Sequence, residues 1–324
     1  MWSRREFLTR TGAVATVAFG RPAPDSLAAA IQSVTPVSFD VPAGACDCHV
    51  HVFGDPRRFP FTSTRTYTPE PASLDEMRRL HRALRIDRVV VVQPSVYGTD
   101  NSCTLDAIKQ LGSRARGVAV IDETTSRPAL DDMHRGGIRG IRLNLETAGI
   151  TDPSDARRRV RAALESLRER TWHLEINTRL SIVEAIRDDL ATAQVPIVID
   201  HFGGARAALG TGQPGFQALV DLVRSGRAYV KISAAYRASS RAPDYADAAP
   251  LAEALVAANP RRIVWGTDWP HPDSTQVPGR TSTDVAPLLQ IDDGRLLNQL
   301  RSWAPDAGQR RLILVENPAR LYGF

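Results

Sequence analysis

The stretch that decides the fold is residues 45–54, ACDCHVHVFG, where two cysteines and two histidines fall close together. Because side chains alternate between the two faces of a β-strand, one face is expected to carry Asp47, His49 and His51. The opposite face, apolar and suited to packing against helices, is expected to carry Cys46, Cys48, Val50 and Val52. Thiols and imidazoles diverge in this arrangement, which excludes a zinc site built from all four.

Seven further short apolar runs follow the first, and helical periodicity separates them. The predicted strands are 45–53, 88–93, 117–121, 140–145, 173–177, 196–200, 228–232 and 262–266. The predicted helices lie near 73–85, 101–112, 126–135, 153–170, 179–193, 214–225, 244–258 and 308–315. Eight nearly continuous apolar strands, each followed by a helix, predict an α/β protein with one closed (β/α)₈ TIM barrel. An open doubly wound sheet is disfavoured because HVFGDPRRF, after the first strand, is not a glycine-rich phosphate loop.

Residues with catalytic chemistry gather at the predicted strand ends, where TIM barrels place their active sites. His49 and His51 lie on the first strand, His201 follows the sixth and Asp268 follows the eighth. Other strand ends add side chains suited to binding a polar substrate, namely Ser95, Arg142, Asn177 and Arg237. The two longest irregular stretches, near 54–72 and 269–300, are expected to lie over the mouth of the barrel.

The motifs HxH at 49–51, DHFGG at 200–204 and GTDWPHP at 266–272 resemble the amidohydrolase superfamily. Within it, VVQPSVYGTDN at 91–101 and the VWGTDWPHP stretch resemble the branch of 2-pyrone-4,6-dicarboxylate lactonases, with sulfomuconolactone and sugar-lactone hydrolases. The resemblance covers about residues 43–324. It implies a distorted TIM barrel and a carboxylic ester hydrolase that opens a lactone ring.

The same resemblance implies the roles of individual side chains. Asp268 would act as the general base towards water, while His49, His51 and His201 polarise the scissile carbonyl. An anionic lactone would be held by Tyr67, Ser95, Arg142, Asn177 and Arg237. Arginine suits bidentate capture of a carboxylate or sulfonate, although either arginine can instead pair with a barrel acid such as Glu146 or Glu175.

Two departures from the dicarboxylate lactonases bear on the substrate. Those enzymes carry a further arginine just past the fourth strand, where this chain reads ETAGITD at 146–152. They also carry a tyrosine near the end of the fifth strand, where this chain has Asn177. One carboxylate-binding group is therefore missing. We expect a lactone with other substituents, such as a sulfonate-bearing muconolactone or a sugar-acid lactone.

Two forms of catalysis stay open from the sequence. In the metal-free form, as the dicarboxylate lactonases imply, no cofactor is required and the histidines polarise the carbonyl directly. In the alternative form, His49, His51 and Asp268 hold one Zn²⁺ with water in an open position. A binuclear site is disfavoured because the superfamily's bridging lysine or glutamate is absent from the fourth strand, which offers Arg142 and Asn144.

The N-terminus has the order of a twin-arginine export signal. SRREFL at 3–8 is followed by the weakly apolar TGAVATVAFG and by the small residues SLAAA. We therefore expect 1–30 to be a signal peptide, 31–324 to be the barrel domain and the protein to be periplasmic. The net charge of +5 is not a nucleic-acid footprint, and no apolar run is long enough to span a bilayer.

A small anionic lactone is the partner that these observations predict. Two alternatives use the same barrel: a lactone isomerase, or an exported protein that binds a lactone or sugar acid without catalysis. A binding protein need not retain His49, His51, His201 and Asp268, so the complete set favours an enzyme. Isomerisation stays open because moving an acyl group within a ring needs the same activation of a carbonyl.

Overall fold

Eight parallel strands form a nearly closed barrel in the computed structural model, which describes residues 34–275 and 277–324. The ten strands of that part of the chain are β1 (Cys46–Val50), β2 (Thr68–Pro69), β3 (Arg88–Val92), β4 (Ala115–Ala119), β5 (Ile138–Asn144), β6 (His173–Asn177), β7 (Ile197–Ile199), β8 (Ala228–Lys231), β9 (Ile263–Val264) and β10 (Val285–Ala286). The barrel order is β1-β3-β4-β5-β6-β7-β8-β9, so each strand neighbours the next along the chain. The predicted (β/α)₈ barrel is confirmed.

The barrel closes between β1 and the chain that follows the short strand β9. The amide of His51 donates to the carbonyl of Trp269 at 2.8 Å, and the amide of Asp268 donates to the carbonyl of His49 at 2.9 Å. These backbone bonds bring together two segments from opposite ends of the sequence. They place Asp268 directly beside the histidines of β1.

Helices cover the outside of the barrel, as the apolar periodicity predicts. They are α1 (Leu74–Leu84), α2 (Ser102–Leu111), α3 (Arg127–Arg135), α4 (Pro153–Ser166), α5 (Leu180–Thr192), α6 (Phe216–Arg224), α7 (Ala235–Ala238), α8 (Ala249–Ala258), α9 (Asp293–Asn298), α10 (Leu300–Trp303), α11 (Ala307–Arg311) and α12 (Asn317–Tyr322). Ser73 and Glu76 form a capping box at the start of α1, and Asp152 caps α4, which begins at Pro153.

A register shift in β1 decides which of its side chains face the barrel interior. The pairing of β1 with β3 shifts between Asp47 and Val50, and a bulge of this kind interrupts the alternation of faces. Cys46 and Cys48 consequently pack in the interior cluster, with Val90, Val92, Val118, Val198, Tyr229 and Val264. The prediction that these cysteines pack against the helices is wrong.

Asp47 faces the other way. Its carboxylate lies 3.2 Å from Nε2 of His81 on α1 and accepts the hydroxyl proton of Thr267 at 2.6 Å. The prediction that Asp47 shares a face with the two histidines is therefore wrong as well. The bulge nevertheless leaves both His49 and His51 directed into the barrel, as predicted.

Two long connections lie over the C-terminal mouth of the barrel. β2, from the stretch after β1, pairs in parallel with β10, from the stretch after β9. The Thr68 hydroxyl donates to the carbonyl of Ser282 at 2.7 Å and ties the two stretches together. Tyr67, Pro272 and Ser274 from these connections line a cavity at the mouth. The predicted position of the two stretches is confirmed.

The predicted export signal, residues 1–30, lies outside the described residues. Within residues 34–275 and 277–324, none of the helices has the length and apolar character needed to cross a membrane.

Candidate active site

Three imidazoles surround one carboxylate oxygen at the mouth of the barrel. The Nε2 atoms of His49, His51 and His201 lie 3.5, 3.6 and 3.8 Å from Oδ1 of Asp268. The histidines come from the end of β1 and from the turn after β7, and the carboxylate comes from the segment after β9. All four side chains are buried. The structure therefore brings together the four groups that the sequence places at strand ends.

The backbone is strained where several of these residues leave their strands. His201, Ala234, Asp268 and His271 have φ angles of 47°, 53°, 68° and 63°, in the left-handed region. Each such residue costs on the order of 1–3 kcal/mol, and such strain concentrates at functional sites. The turns aim the side chains of His201 and Asp268 across the barrel mouth towards each other.

Contacts at the far ring nitrogens place the protons of two histidines. Nδ1 of His51 lies 2.8 Å from the carbonyl oxygen of Val92, which can only accept, so neutral His51 presents a lone pair at Nε2. Nδ1 of His49 lies 3.0 Å from the ammonium of Lys231, which can only donate, so neutral His49 carries its proton on Nε2. One imidazole thus directs a lone pair towards Asp268 and the other directs a proton towards it.

Burial keeps His49 and His201 uncharged at neutral pH. Burial and the nearby ammonium of Lys231 hold the pKa of His49 well below its usual value. Burial likewise lowers the pKa of His201 to about 4. Nδ1 of His201 lies 2.9 Å from Oγ of Ser233, a hydroxyl that can donate to or accept from the ring.

The two oxygens of Asp268 have different surroundings. Oδ2 accepts the hydroxyl proton of Tyr236 at 2.6 Å and the Nε proton of Arg237 at 2.7 Å. Oδ1 has no hydrogen-bond partner among the residues that the structure describes. Burial alone would raise the pKa of Asp268, but the charge of Arg237 and the polar ring of His201 hold it well below its usual range. The carboxylate is therefore ionised, and Oδ1 is the oxygen free to take a proton.

Tyr236 is a site residue that the sequence did not reveal. It gives its one hydroxyl proton to Asp268, so its oxygen must accept from Nδ1 of His271, 3.3 Å away. Nε2 of His271 in turn lies 3.1 Å from Oδ2 of Asp293, whose pKa burial raises. This buried chain fixes the direction of the Tyr236 hydroxyl. The signal in the sequence was its position immediately before Arg237.

A buried cage of charges lies beneath the histidines. The ammonium of Lys231 donates to Glu175 at 2.5 Å and lies 3.3 Å from Oδ1 of Asp200. The guanidinium of Arg142 lies 3.1 Å from Oδ2 of Asp200 and 3.4 Å from Oε1 of Glu175. Burial would lower the pKa of Lys231, but the two carboxylates outweigh burial and raise it. The charges of the two cations and the two carboxylates therefore cancel, and the cage has no net charge.

The cage changes the interpretation of Arg142. The sequence predicted that it holds the anionic group of a substrate, yet its charge is balanced by Asp200 and Glu175. The alternative, pairing with a barrel acid such as Glu175, is what the structure shows. Lys231 was not identified from the sequence as a site residue. The chain has two lysines: Lys109 is exposed, and Lys231 lies inside the apolar strand AYVKI. A lone lysine on a buried strand is the signal that could have revealed it.

A cavity lined by His51, His201 and Asp268 opens at the mouth of the barrel. All five side chains predicted to contact a substrate line it, namely Tyr67, Ser95, Arg142, Asn177 and Arg237. The wall also includes side chains without a predicted substrate contact, namely Asn144, Thr147, Pro272 and Ser274. Burial raises the pKa of Tyr67 to about 12, so its hydroxyl stays protonated.

One group of side chains fits a single metal ion. The ligand atoms of His49, His201 and Asp268 lie within 4.8 Å of one another. Ligands about 2.1 Å from a tetrahedral zinc ion are about 3.4 Å apart, close to the 3.5 Å between Nε2 of His49 and Oδ1 of Asp268. Neither of these two atoms has a hydrogen-bond partner in the described part of the chain. The fit requires His49 to donate from Nδ1 to Asp200, 3.4 Å away, instead of accepting from Lys231.

The predicted metal set differs from this group at one position. It named His51 with His49 and Asp268, whereas the compact group contains His201. His51 still directs a lone pair at the same carboxylate oxygen and offers a further ligand. A second group, His49 with Glu175 and Asp200, does not fit, because Lys231 and Arg142 already neutralise its carboxylates.

The fold and the site together define the class of protein: a TIM-barrel enzyme whose HxH strand, histidine and aspartate converge on one cavity at the C-terminal mouth. The chain belongs to the amidohydrolase family, whose sequence model matches residues 46–324.

Individual relatives lie in the predicted branch. The chain is 35% identical over 290 residues to 4-sulfomuconolactone hydrolase of Hydrogenophaga intermedia. The alignment covers 90% of this chain and 92% of that protein. The chain is 36% identical over 292 residues to the Rhizobium radiobacter protein of the same name, covering 89% and 93%. A Pseudomonas putida structure assigned as a 2-pyrone-4,6-dicarboxylic acid hydrolase superposes with a TM-score of 0.72 at 33% identity, over 86% of this chain and 97% of that chain. The predicted resemblance is confirmed.

Proposed function

We propose that the protein is a carboxylic ester hydrolase that opens the ring of a small anionic lactone. The observation that carries the proposal is the asymmetry of Asp268. One of its oxygens is saturated by Tyr236 and Arg237, and the other faces three imidazoles in a confined cavity. Relatives named as lactone hydrolases align over about nine-tenths of the chain and support the reaction class.

The attacking water is held by two acceptors. Oδ1 of Asp268 and Nε2 of His51 lie 3.6 Å apart, and each can accept one of the two protons of the water. This orientation turns a lone pair of the water oxygen towards the ring carbonyl. As the new carbon–oxygen bond forms, the proton passes to Asp268. General base catalysis of this kind typically contributes about 10²–10⁴-fold to the rate.

The carbonyl oxygen is met by donors. The Nε2 proton of His49, and that of His201 when Ser233 donates to its Nδ1, point at the position where negative charge develops. One such donor is typically worth about 3–4 kcal/mol in the transition state. When the ring carbon–oxygen bond breaks, the leaving oxygen takes the proton from Asp268. The product is a hydroxy acid, and the carboxylate of Asp268 is restored.

Arg237 holds the anionic substituent of the substrate. Its Nε is bound to Asp268, while its terminal nitrogens have no hydrogen-bond partner in the described residues and can receive a carboxylate or sulfonate. The charged group of the substrate is thereby fixed next to the base.

A Zn²⁺ ion held by His49, His201 and Asp268 would polarise the carbonyl and lower the pKa of a bound water. In the metal-free form, the proton on Nε2 of His49 polarises the carbonyl. The contact with Lys231 favours this second form, because it keeps Nδ1 of His49 as an acceptor.

The test is Asp268→Asn, assayed by pH-stat on a panel of lactones, with Asp273→Asn as the matched control on the same connection. We expect hydrolysis to fall by at least about 10²-fold in the first variant. The control should keep its activity, and circular dichroism should show both variants folded. Turnover by Asp268→Asn at the rate of the unmodified protein would remove the proposed base. Base uptake distinguishes hydrolysis from isomerisation, which releases no acid, and zinc analysis of the same preparation distinguishes the two forms of catalysis.

We also propose that residues 1–30 direct export to the periplasm. The support is the twin arginine, Arg4 and Arg5, followed by a weakly apolar stretch and small residues. Replacing both arginines with lysine should leave the protein in the cytoplasmic fraction. Periplasmic recovery of that variant would contradict the proposal.

A further inference from the structure

We infer that the substrate carries one negative charge, and that its remaining polar substituents are uncharged hydrogen-bonding groups. The ligand class is a monoanionic, hydroxylated lactone. This inference rests on the proposed function, since it concerns the substrate of the same site.

The charges in and beneath the cavity balance before any substrate enters. The cations are Arg142, Lys231 and Arg237, and the carboxylates are Glu175, Asp200 and Asp268. Each cation lies within 3.4 Å of a carboxylate oxygen. In a low-dielectric cavity, an anion without a counter-charge is strongly disfavoured.

One anion can still be accommodated, at Arg237. The terminal nitrogens of that guanidinium remain available, and the side chain is about one-third exposed at the mouth, at 33%. Arg142 offers less, because its guanidinium already faces both Asp200 and Glu175 and its side chain is only 4% exposed. A second carboxylate or sulfonate on the ring would therefore find no further guanidinium with exposed donors in the described cavity wall.

Part of the wall is neutral and rich in hydrogen-bonding atoms. The side-chain amide of Asn177 donates to Oδ1 of Asn144 at 3.0 Å, and the backbone amide of Thr147 donates to the same oxygen at 3.1 Å. These bonds leave the Nδ2 protons of Asn144, Oδ1 of Asn177 and the hydroxyl of Thr147 without partners within residues 34–275 and 277–324. A donor, an acceptor and a hydroxyl in one wall match the alcohol groups of a hydroxylated ring.

The nearby cation Arg179 is not available to this wall. Its Nε and Nη2 donate to the two carboxylate oxygens of Glu146 at 2.9 and 2.8 Å. The bidentate pair neutralises the guanidinium at the rim. The wall therefore selects for uncharged substituents, while Arg237 selects for one anion.

Calorimetric binding to the full chain tests the inference with lactam analogues, in which a ring N–H replaces the ester oxygen and hydrolysis is prevented. Three lactams are compared: one with a single carboxylate, one with a carboxylate and hydroxyl groups, and one with two carboxylates. We expect the hydroxylated monocarboxylate to bind about tenfold or more tightly than the dicarboxylate. Equal or tighter binding of the dicarboxylate would overturn the inference. Because binding needs no turnover, a failure to hydrolyse any lactone would refute the proposed function separately.

Two variants test the neutral wall directly. Asn177→Arg should tighten binding of the dicarboxylate lactam by about tenfold. Gln194 is exposed at the opposite end of the barrel, and Gln194→Arg should leave that binding unchanged. Thr147→Val should weaken binding of the hydroxylated lactam about threefold or more and leave binding of the plain monocarboxylate lactam unchanged. It provides the test if the arginine variant does not fold. Unchanged preferences in folded variants would refute the role of the wall.

Discussion

Replacing Lys231 with methionine is the most discriminating perturbation of the buried cage. The substitution keeps the length and apolar stem of the side chain and removes its positive charge. Glu175 and Asp200 would then share Arg142 as their remaining cation, and His49 would lose the donor to its Nδ1.

The geometry gives the expected size of the effect. Two protons of the ammonium have acceptors, at 2.5 Å on Glu175 and 3.0 Å on His49, and its charge lies 3.3 Å from Oδ1 of Asp200. The lysine and its acceptors are fully buried. Breaking a buried ion pair by removing one partner costs about 3–5 kcal/mol, because an uncompensated charge stays in the interior. That is a large part of a total stability of roughly 5–15 kcal/mol.

A second substitution separates charge from packing. In Lys231→Met/Glu175→Gln, Arg142 and Asp200 remain as a balanced pair, so the free energy of unfolding should recover to within about 1–2 kcal/mol of the unmodified protein. Activity should not recover, since His49 lacks its donor in both variants, and kcat should stay about 10²-fold lower. Urea unfolding followed by tryptophan fluorescence gives the stability. Lys109→Met, on the exposed face of α2, is the matched control and should change it by less than about 0.5 kcal/mol.

Two results would refute this reasoning. The first is a loss of less than about 1 kcal/mol in Lys231→Met, since the lysine would then not be compensating the buried carboxylates. The second is a double variant that regains full activity along with stability. In that case the contact with His49 would have no role in catalysis.

Three further predictions follow from the same geometry. Tyr236→Phe should lower kcat about tenfold with little change in KM, because the hydroxyl orients Asp268 and does not bind substrate; a rise in KM alone would contradict this. His201, with a pKa lowered to about 4 from about 6.5, takes up its proton more readily in the unfolded chain, so stability should fall as the pH drops through this window. At pH 5 this group lowers the free energy of unfolding by roughly 2 kcal/mol. Urea midpoints at pH 7 and pH 5 should therefore differ less in His201→Asn than in the unmodified protein. Arg237→Met should raise KM for anionic lactones about 10–100-fold, far more than for neutral lactones; equal effects on both would exclude the anion-binding role.

The barrel could be predicted because its evidence is local and repeated. Each strand shows as a short apolar run, and each helix as a periodic segment with its own cap, such as Ser73 or Asp152. Once eight such units are counted, the topology brings every strand end to one mouth. The barrel topology therefore predicted that His49, His201 and Asp268 lie close together, although they are far apart in the sequence.

The register inside β1 could not be predicted in the same way. A bulge is one extra residue on one strand, and it depends on how β1 meets β3 and the chain after β9. CDCHV carries no glycine or proline that would mark it. Strict alternation therefore assigned Cys46, Cys48 and Asp47 to the wrong faces, although His49 and His51 were assigned correctly.

The pairing of charges was hidden for a different reason. An arginine at a strand end looks the same in sequence whether it faces substrate or a carboxylate on the next strand. Arg142 lies opposite Glu175 in the pairing of β5 with β6 and reaches Asp200 from there. Such contacts depend on the stagger of neighbouring strands, which apolar periodicity does not record.

The residues that the sequence missed control those that it found. Lys231 decides which nitrogen of His49 bears the proton, and Tyr236 decides which oxygen of Asp268 is free. The HxH motif and the aspartate therefore specify which groups meet, whereas the side chains that contact them specify whether each group donates or accepts. A barrel with the same four residues but an apolar side chain in place of Lys231 would leave Nδ1 of His49 to Asp200, and the imidazole would present a lone pair instead of a proton. The chemistry of this site depends on that lysine as directly as on the histidines above it.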